Sequence, residues 1–422
     1  MSNPSATPFF DVRMRGFPTR TAVDDVVALI RARVAALGSE SVALDAGAGR
    51  VLAAPVVASV PVPHFDRAAF DGYALKANDT PNASPAAPVQ LRVVGEALPN
   101  RPFARAVGAG EAIRIMTGSP MPAGADAVLP AEFAQEANDI LTVAEPVSAG
   151  KNVGRVGEDV PLGRTVLAAG RVLRPQDLGL LSSIGVAGVE VVRRPRVAIL
   201  TTGDEILPPG SKPEGYRIVD SNSVVLRALV SRDGGELLPT RHLPDRPNEI
   251  RSAIASGDWD VLIMSGGTSV GREDHAPKLV AELGELPVHG VALRPAGPAG
   301  MGFVGGRPVF LLPGNPVACL CAYDLFAGRA VRRLGGRSDE LPYRTVERPV
   351  AGKIASVVGR VEYVRVSDGA DGVRPVPLIG ASVLSSTVIA DGFVLVPPER
   401  EGYALGELVT VHHYDDQLGR AR

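Results

Sequence analysis

From Arg194-Pro195 to about residue 330 the chain alternates apolar runs of strand length with amphipathic runs of helix length, and no other feature restricts its fold as tightly. VAILTTGDEI reads as a strand and turn, SNSVVLRALVSRDGG as a helix stopped by glycine, and ELLPTRHLPD as a strand and turn. RPNEIRSAIASG then reads as a helix, DWDVLIMSGG as a strand and turn, HAPKLVAELG as a helix, and RPVFLLPGNP as a strand leading into the helix VACLCAYDLFAGRAV. Strands alternating with helices bury their apolar sides as a mostly parallel sheet with helices on both faces, a doubly wound α/β arrangement. Ligands on such sheets sit at the carboxyl ends of the strands. The polar clusters of this region fall there.

The flanking regions have other periodicities. Val23, Val26, Val27, Ile30, Val34 and Leu37 recur at helical spacing, with Thr21 as the expected cap. Residues 41–75 are extended and proline-rich, 80–88 form a small-residue loop, and short strands broken by Gly and Pro continue to about residue 190. This region is expected to be β-rich and two-lobed. From about Leu341, the runs GRVEYVRV, GVRPVPL, FVLVPP and ELVTVHHY predict a small β-barrel or sandwich. The expected division is 1–190, 191–338 and 339–422, within the two to four domains that 422 residues suggest. A net charge of −2 gives no electrostatic reason to expect a nucleic acid or a membrane surface as partner. No apolar run is long enough to span a bilayer and the first residues lack a leader pattern, so a cytoplasmic protein is expected. Cys319 and Cys321, the only cysteines, sit in an apolar helical pattern with the wrong spacing for a CxxC motif and read as buried thiols.

Four polar turns directly follow apolar strands: Thr201-Thr202-Gly203-Asp204-Glu205, the turn at Asp245, Ser265-Gly266-Gly267-Thr268-Ser269-Val270-Gly271, and Leu312-Pro313-Gly314-Asn315-Pro316. Glycine lets backbone approach a ligand closely, and helix-start amides after such turns attract anions. One such turn is ordinary in any doubly wound sheet, but four on one predicted edge point to a phosphate-bearing ligand. Asp204, Glu205, Asp220, Asp245 and Asp274 fall at the same edge. Carboxylates beside phosphates imply a divalent cation between them, Mg²⁺ being the usual one. Each acid also has a plainer reading as a helix cap, and for Asp220, ahead of Ser221-Asn222, the two readings weigh equally. There is no Walker A pattern, and Gly300-Met301-Gly302-Phe303-Val304-Gly305 matches GxGxxG but precedes a strand rather than a helix, against a dinucleotide site. Gly267 to Gly271 matches GxSxG, which raises a remote alternative, a serine hydrolase using Ser269 with His275 or His289.

HFDRAAFDGYA from His64 and RIMTGSPMPAGADAV from Arg114 read singly as turn chemistry. Together with GRVGEDV from Gly154, TTGDEI, DSN, SGGTSVGRED and LPGNP they resemble the molybdopterin molybdenumtransferase family, known as MoeA in bacteria and as the E domain of gephyrin in animals. The resemblance implies an N-terminal region whose elongated lobe carries an inserted β-rich lobe at about 60–150, a central molybdopterin-binding α/β domain and a C-terminal β-barrel. It implies a homodimer whose site forms between the α/β domain of one subunit and the N-terminal region of the other. The implied reaction takes adenylylated molybdopterin and molybdate, cleaves the adenylyl bond with Mg²⁺, releases AMP and places molybdenum on the dithiolene. By motif, the catalytic acids would be Asp66, Asp159, Glu205, Asp245 and Asp274, with Glu205, Asp245 and Asp274 holding the metal. Thr117 would contact substrate from the MTG turn. The pterin pocket would comprise Thr202, Gly203, Asp204, Asp220, Ser221, Asn222, Ser265, Gly266, Gly267, Ser269, Gly271, Pro313, Gly314, Asn315 and Pro316. The upstream adenylyltransferase and molybdoenzyme maturation proteins would be partners.

The sequence departs from the family pattern in one cluster of positions. DNSAMDGYA is here DRAAFDGYA, with Arg67 and Ala68; KPGKP is here Arg294-Pro295-Ala296-Gly297-Pro298; and GSH is here Gly380-Ala381-Ser382. In the family the two lysines and that serine help hold molybdate. The chain has 39 Arg and 5 Lys, a bias that accounts for Arg294 but not for Gly297. Arg294, Arg360 and Arg365 are the arginines expected to serve the oxyanion. The departures also admit a non-catalytic relative that binds molybdopterin or the finished cofactor as a carrier or maturation factor.

Overall fold

A computed structural model describes residues 11–269, 271–377 and 380–414. The chain packs as two compact units, Ser41–Val191 and a second made of Met1–Glu40 with Val192–Arg422.

Ser41–Val191 is β-rich. Its six-stranded sheet runs Ala127–Pro130, Gly72–Leu75, Glu111–Ile115, Val89–Ala97, Ile140–Val143, Gln135–Ala137, and only the pairing of Val89–Ala97 with Glu111–Ile115 is parallel. Alternating side chains place Leu75, Leu91 and Leu141 in one core and Ala74, Ile113 and Val128 in another. A separate apolar cluster, including Leu52, Leu173, Leu181 and Val191, packs around the helix Pro175–Ser183 and forms the other lobe. Pro175 starts that helix, and Asp177 accepts from the Arg174 amide at 2.9 Å.

In the second unit the parallel strands Glu236–Leu237, Arg196–Thr202, Val261–Ser265 and Arg307–Leu312 are neighbours, with Arg241–Leu243 also pairing to Arg196–Thr202. Their near-continuous apolar runs are explained by helices on both faces. Val261, Ile263, Phe310 and Leu312 face the helices Val23–Arg33, Asn222–Arg232 and Pro316–Ala322; Leu262, Met264, Val309 and Leu311 face Pro247–Ala255 and Ala276–Leu283. The sheet is mixed: Gly300–Val304 and Glu285–His289 extend it antiparallel. Gly305 and Gly306, with φ of +58° and +77°, supply the two left-handed residues of a tight hairpin, so the GxGxxG run stays a strand.

Two details differ from expectation. Thr21 does not cap a helix: Val23–Arg33 begins after Ala22, and Thr21 pairs with the chain at Gly290–Ala292, donating to the Gly290 carbonyl at 3.0 Å. Extended pairing with that segment takes the place of the capping geometry. The helix predicted over VACLCAYDLFAGRAV is interrupted at Tyr323–Ala327 by a π-helical turn, then continues as Gly328–Leu334.

The C-terminal strands run Gly372–Pro375, Val361–Gly369, Gly392–Val396, Leu408–His413 and Arg344–Pro349. Val350 bridges back to Val373, which closes the circuit around Val366, Val394, Val409 and Val411. Leu293–Arg294 lies parallel to the start of Val361–Gly369.

Candidate functional site

The strand-end turns meet in one cavity of about 540 Å³ at the carboxyl edge of the parallel strands. Of the residues assigned to it by motif, Thr202, Gly203, Glu205, Asp220, Asn222, Asp245, Ser265, Gly266, Gly267, Ser269, Asp274, Gly314 and Asn315 line it. Asp204, Ser221, Gly271, Pro313 and Pro316 support it from the adjoining backbone; Val270 lies outside the described residues. Thr268 and Glu273, which the SGGTSVGRED motif contains without an assigned role, also line it, as do Thr201, Ile206 and Ile218. Gly266 and Gly267 adopt φ of +90° and +61°, and a Cβ on Gly266 would stand 2.4 Å from the Thr202 carbonyl oxygen. Only glycine lets these two turns touch.

Hydrogen bonds tie the turns together. Asn222 donates through Nδ2 to Ser265 Oγ at 2.9 Å and to the Gly314 carbonyl at 2.8 Å, joining three separate turns. Asp220 is buried; its Oδ1 accepts from the Ser223 amide at 2.9 Å and its Oδ2 from Thr201 Oγ1 at 3.2 Å. Capping is therefore its visible work. Thr202 Oγ1 is buried at the cavity wall without a hydrogen-bond partner among the described residues, which suits a polar ligand. Beneath the floor, Cys319 lies 3.6 Å from Ser265 Oγ; burial pushes its thiol up to about 12, so it is inert. Both cysteines are buried and free.

The acids of the cavity are electrostatically crowded. Asp245 and Asp204 face one another, each amide donating to the other's carboxylate at 3.4 Å. Burial, reinforced by the charges of Glu205 and Asp204, raises the Asp245 carboxyl above its ordinary value. A divalent cation would relieve this crowding. Yet no three His, Cys, Asp or Glu side chains converge into a metal cluster among the described residues. The expected trio of Glu205, Asp245 and Asp274 is thus not preassembled: Asp274 turns to the Gly271 amide at 2.5 Å, and carboxylates without a cation repel. The arrangement fits Mg²⁺ as an ion held by one or two carboxylates and completed by substrate oxygens.

A second cavity, of about 630 Å³, is lined by Arg20, Arg294, Gly297 and Arg360, with Phe17, Val357 and Val358 among its apolar walls. His289 contacts one lining residue of each cavity. Phe17 meets His289 edge-on at 5.1 Å, and His289 Nε2 donates to the carbonyl of Thr268 at 3.2 Å. Burial lowers the His289 pKa, although the bond to Thr268 works in the opposite direction. Arg365 does not line either cavity: it is buried, bonded to Ser386 and to the Gly380 carbonyl at 3.4 Å. Its guanidinium holds the segment whose Ala381 carbonyl accepts the first amides of the Pro316–Ala322 helix.

In the unit Ser41–Val191, Asp66 accepts from the Val156 amide at 2.9 Å and from Arg155 at 2.7 Å. These donors hold its carboxyl below the usual range. Asp159 follows in the same loop and is exposed, its amide bonded to Val62. Thr117 donates through its amide and hydroxyl to Asp71 Oδ1, at 2.6 and 2.8 Å. Asp71, the second acid of DRAAFDG, was visible as a residue but not as the anchor of Thr117, because the contact spans 46 residues.

The hydrolase alternative finds no support in the hydrogen bonds of the described residues. His275 contacts Glu273 at 3.3 Å and Arg13 at 3.4 Å, and His289 serves the Thr268 backbone, so neither histidine is seen on Ser269.

Known proteins resemble this chain in three successive regions. Residues 21–185 match the MoeA N-terminal region (domains I and II), 198–333 a probable molybdopterin binding domain, and 347–414 the MoeA C-terminal region (domain IV). The molybdopterin molybdenumtransferase of Haemophilus influenzae is 30% identical over 389 residues, 90% of this chain and 95% of that one. Molybdopterin molybdenumtransferase 2 of Mycobacterium tuberculosis is 35% identical over 316 residues, 72% of this chain and 76% of that one. A crystal structure of the molybdopterin biosynthesis MoeA protein of Pyrococcus horikoshii superposes with a TM-score of 0.82 at 32% identity, covering 94% of this chain and all of the other. With three successive regions matched and relatives of 30% identity or more covering most of its length, the chain belongs to the MoeA family of molybdenum cofactor biosynthesis proteins.

Proposed function

We propose that the protein is a molybdopterin molybdenumtransferase, which takes adenylylated molybdopterin and molybdate, inserts molybdenum and releases AMP. The observation that carries this reading is the cavity of about 540 Å³ where Gly-rich turns and the acids Glu205, Asp245 and Asp274 share one strand edge. The turns seat the pterin phosphate with backbone amides, and the Asn222 clamp keeps the turns in register. Glu205 and Asp245, with Asp274 beside them, are the residues to hold Mg²⁺. When bound, the cation would neutralise phosphate charge as the adenylyl bond breaks. Arg294 and Arg360 line the neighbouring cavity, where they can hold molybdate, and Arg365 acts by fixing the 380–386 segment. A homodimer belongs to the proposal, with Asp66, Asp159 and Thr117 as the residues of the N-terminal region that act on substrate. So does a cytoplasmic setting; among the described residues no helix is long and apolar enough to cross a membrane.

The test is AMP release from adenylylated molybdopterin by the purified protein with Mg²⁺, with and without molybdate. Molybdate-dependent release is expected in the wild type and its loss in Glu205→Ala and Asp274→Ala; full activity in both variants would remove the proposed metal residues. The second reading, a carrier, draws on Gly297 and Ala381, where the resemblance expects lysine and serine. Tight molybdopterin binding without AMP release would establish it.

A further inference from the structure

The lining of the 630 Å³ cavity contains three arginines and no carboxylate. The three are not equivalent. Arg294 pairs across the strand register with Glu362, Nη1 to Oε1 at 3.5 Å, so much of its charge is already answered. Arg360 buries its Nε with no hydrogen-bond partner among the described residues. Arg20 is exposed and makes no ion pair among the described residues. Two arginines are therefore uncompensated in a concave site, and a buried guanidinium donor left unpaired is costly unless something accepts from it. Two positive charges with planar donor arrays match a tetrahedral dianion.

Gly297 supplies the second observation. A Cβ there would meet only ordinary contacts: 3.5 Å to the Leu293 carbonyl, 3.8 Å to the Val291 carbonyl, and 3.9 Å to Arg20 Nε. The space beside Gly297 is thus served by a guanidinium from a remote part of the chain. Arg20 is held in position because Thr21, its neighbour, is hydrogen-bonded to the Gly290 carbonyl and to the Ala292 amide. The same pairing that removed Thr21 from helix capping delivers Arg20 to the cavity.

We propose that Arg20 is an oxyanion-binding residue, contributing with Arg360 and Arg294 to a molybdate site and replacing the cation that is missing at Gly297. The inference rests on the transferase reading and adds to it a residue from the N-terminal segment. A lysine introduced at 297 would start beside Arg20 and share its role.

The experiment is equilibrium dialysis of radiolabelled molybdate against the full-length protein, with sulfate and tungstate as competitors, alongside AMP release. Arg20→Ala is expected to weaken molybdate binding about 10- to 100-fold, the effect of a lost charged hydrogen bond of roughly 1.5–3 kcal/mol. Arg20→Lys should retain most affinity, and Arg20→Ala combined with Gly297→Lys should recover it. Gly297→Lys alone should change affinity by less than this rescue, because the two cations compete for the same space. Thermal melts of each variant separate lost binding from lost folding. Unchanged molybdate affinity in a folded Arg20→Ala protein, with wild-type AMP release intact, would overturn the role of Arg20 and leave the transferase reading standing. Failure of the wild type to bind molybdate or release AMP would instead sink the transferase reading. Equal competition by sulfate would mean a general dianion site without molybdate selectivity; preference for tungstate or molybdate over sulfate supports the oxyanion substrate assigned here.

Discussion

At the scale of single residues, Asp245 shows how an acid in the strand-end cavity is held at a cost to the fold. Its folded-state pKa is raised, mainly by burial, so its contribution is most favourable below the unfolded value of 3.8 and is lost as pH rises through the higher folded value. At neutral pH the unliganded protein therefore carries the penalty. Asp245→Asn keeps an acceptor for the Asp204 amide and removes the charge, and it is expected to melt higher than the wild type without Mg²⁺. The difference should shrink as pH falls toward 4. Mg²⁺ should raise the melting temperature of the wild type and leave the variant unmoved, since a ligand stabilises only the state that binds it. Calorimetric melts across pH, with and without Mg²⁺, check this; equal Mg²⁺ shifts in both proteins would place the cation elsewhere.

At the scale of elements, the site depends on turns whose backbones touch. Gly266 cannot acquire a Cβ without meeting the Thr202 carbonyl at 2.4 Å, and its φ of +90° is unfavourable for any other residue. Gly306 shares a positive φ, +77°, but has open space around it. Gly306→Ala should cost about 1–2 kcal/mol of stability from the left-handed backbone alone. Gly266→Ala should cost more and should also abolish molybdopterin binding, because the SGG turn must part from the TTG turn. Chemical denaturation and pterin fluorescence titration measure the two effects. Retained pterin affinity in Gly266→Ala would show that turn contact does not shape the pocket.

At the scale of the whole molecule, the α/β layers and the C-terminal barrel are joined by a buried polar network around the π-helical turn. Asp324, fully buried, accepts from Tyr343 at 2.8 Å and from Arg232 at 3.1 Å, and Tyr363 of the barrel approaches at 3.5 Å. Arg232 also bonds Asp233 at 3.0 Å, and Arg332 forms an ion pair with it at 2.9 Å. Removing one partner of such a buried set leaves the others uncompensated. Asp324→Ala is expected to destabilise the protein by about 3–5 kcal/mol in denaturant titration. A loss below about 1 kcal/mol, the size typical of an exposed pair, would mean water reaches these groups.

The sequence by itself determined the classes of structure and the strand edge at which the candidate cavity lies. Apolar runs of strand and helix length dictate a sheet covered on both faces, and such a sheet offers its ligands the carboxyl ends of its strands, where TTGDEI, SGGTSVG and LPGNP already stood. These are local properties, set by hydrophobic periodicity and turn chemistry within about ten residues. What tertiary structure decided depends on residues far apart in the chain. Thr21 became an extended pairing partner instead of a cap, Asp71 became the anchor of Thr117, and Arg365 moved off the cavity to hold a loop. Asp274 turned to the Gly271 amide, leaving the acids expected to hold a metal unassembled, and Arg20 came to stand beside Gly297 across a sequence separation of 277. Side-chain periodicity carries no information about such pairings, because each is selected by burial and charge compensation that exist only once the chain has closed on itself.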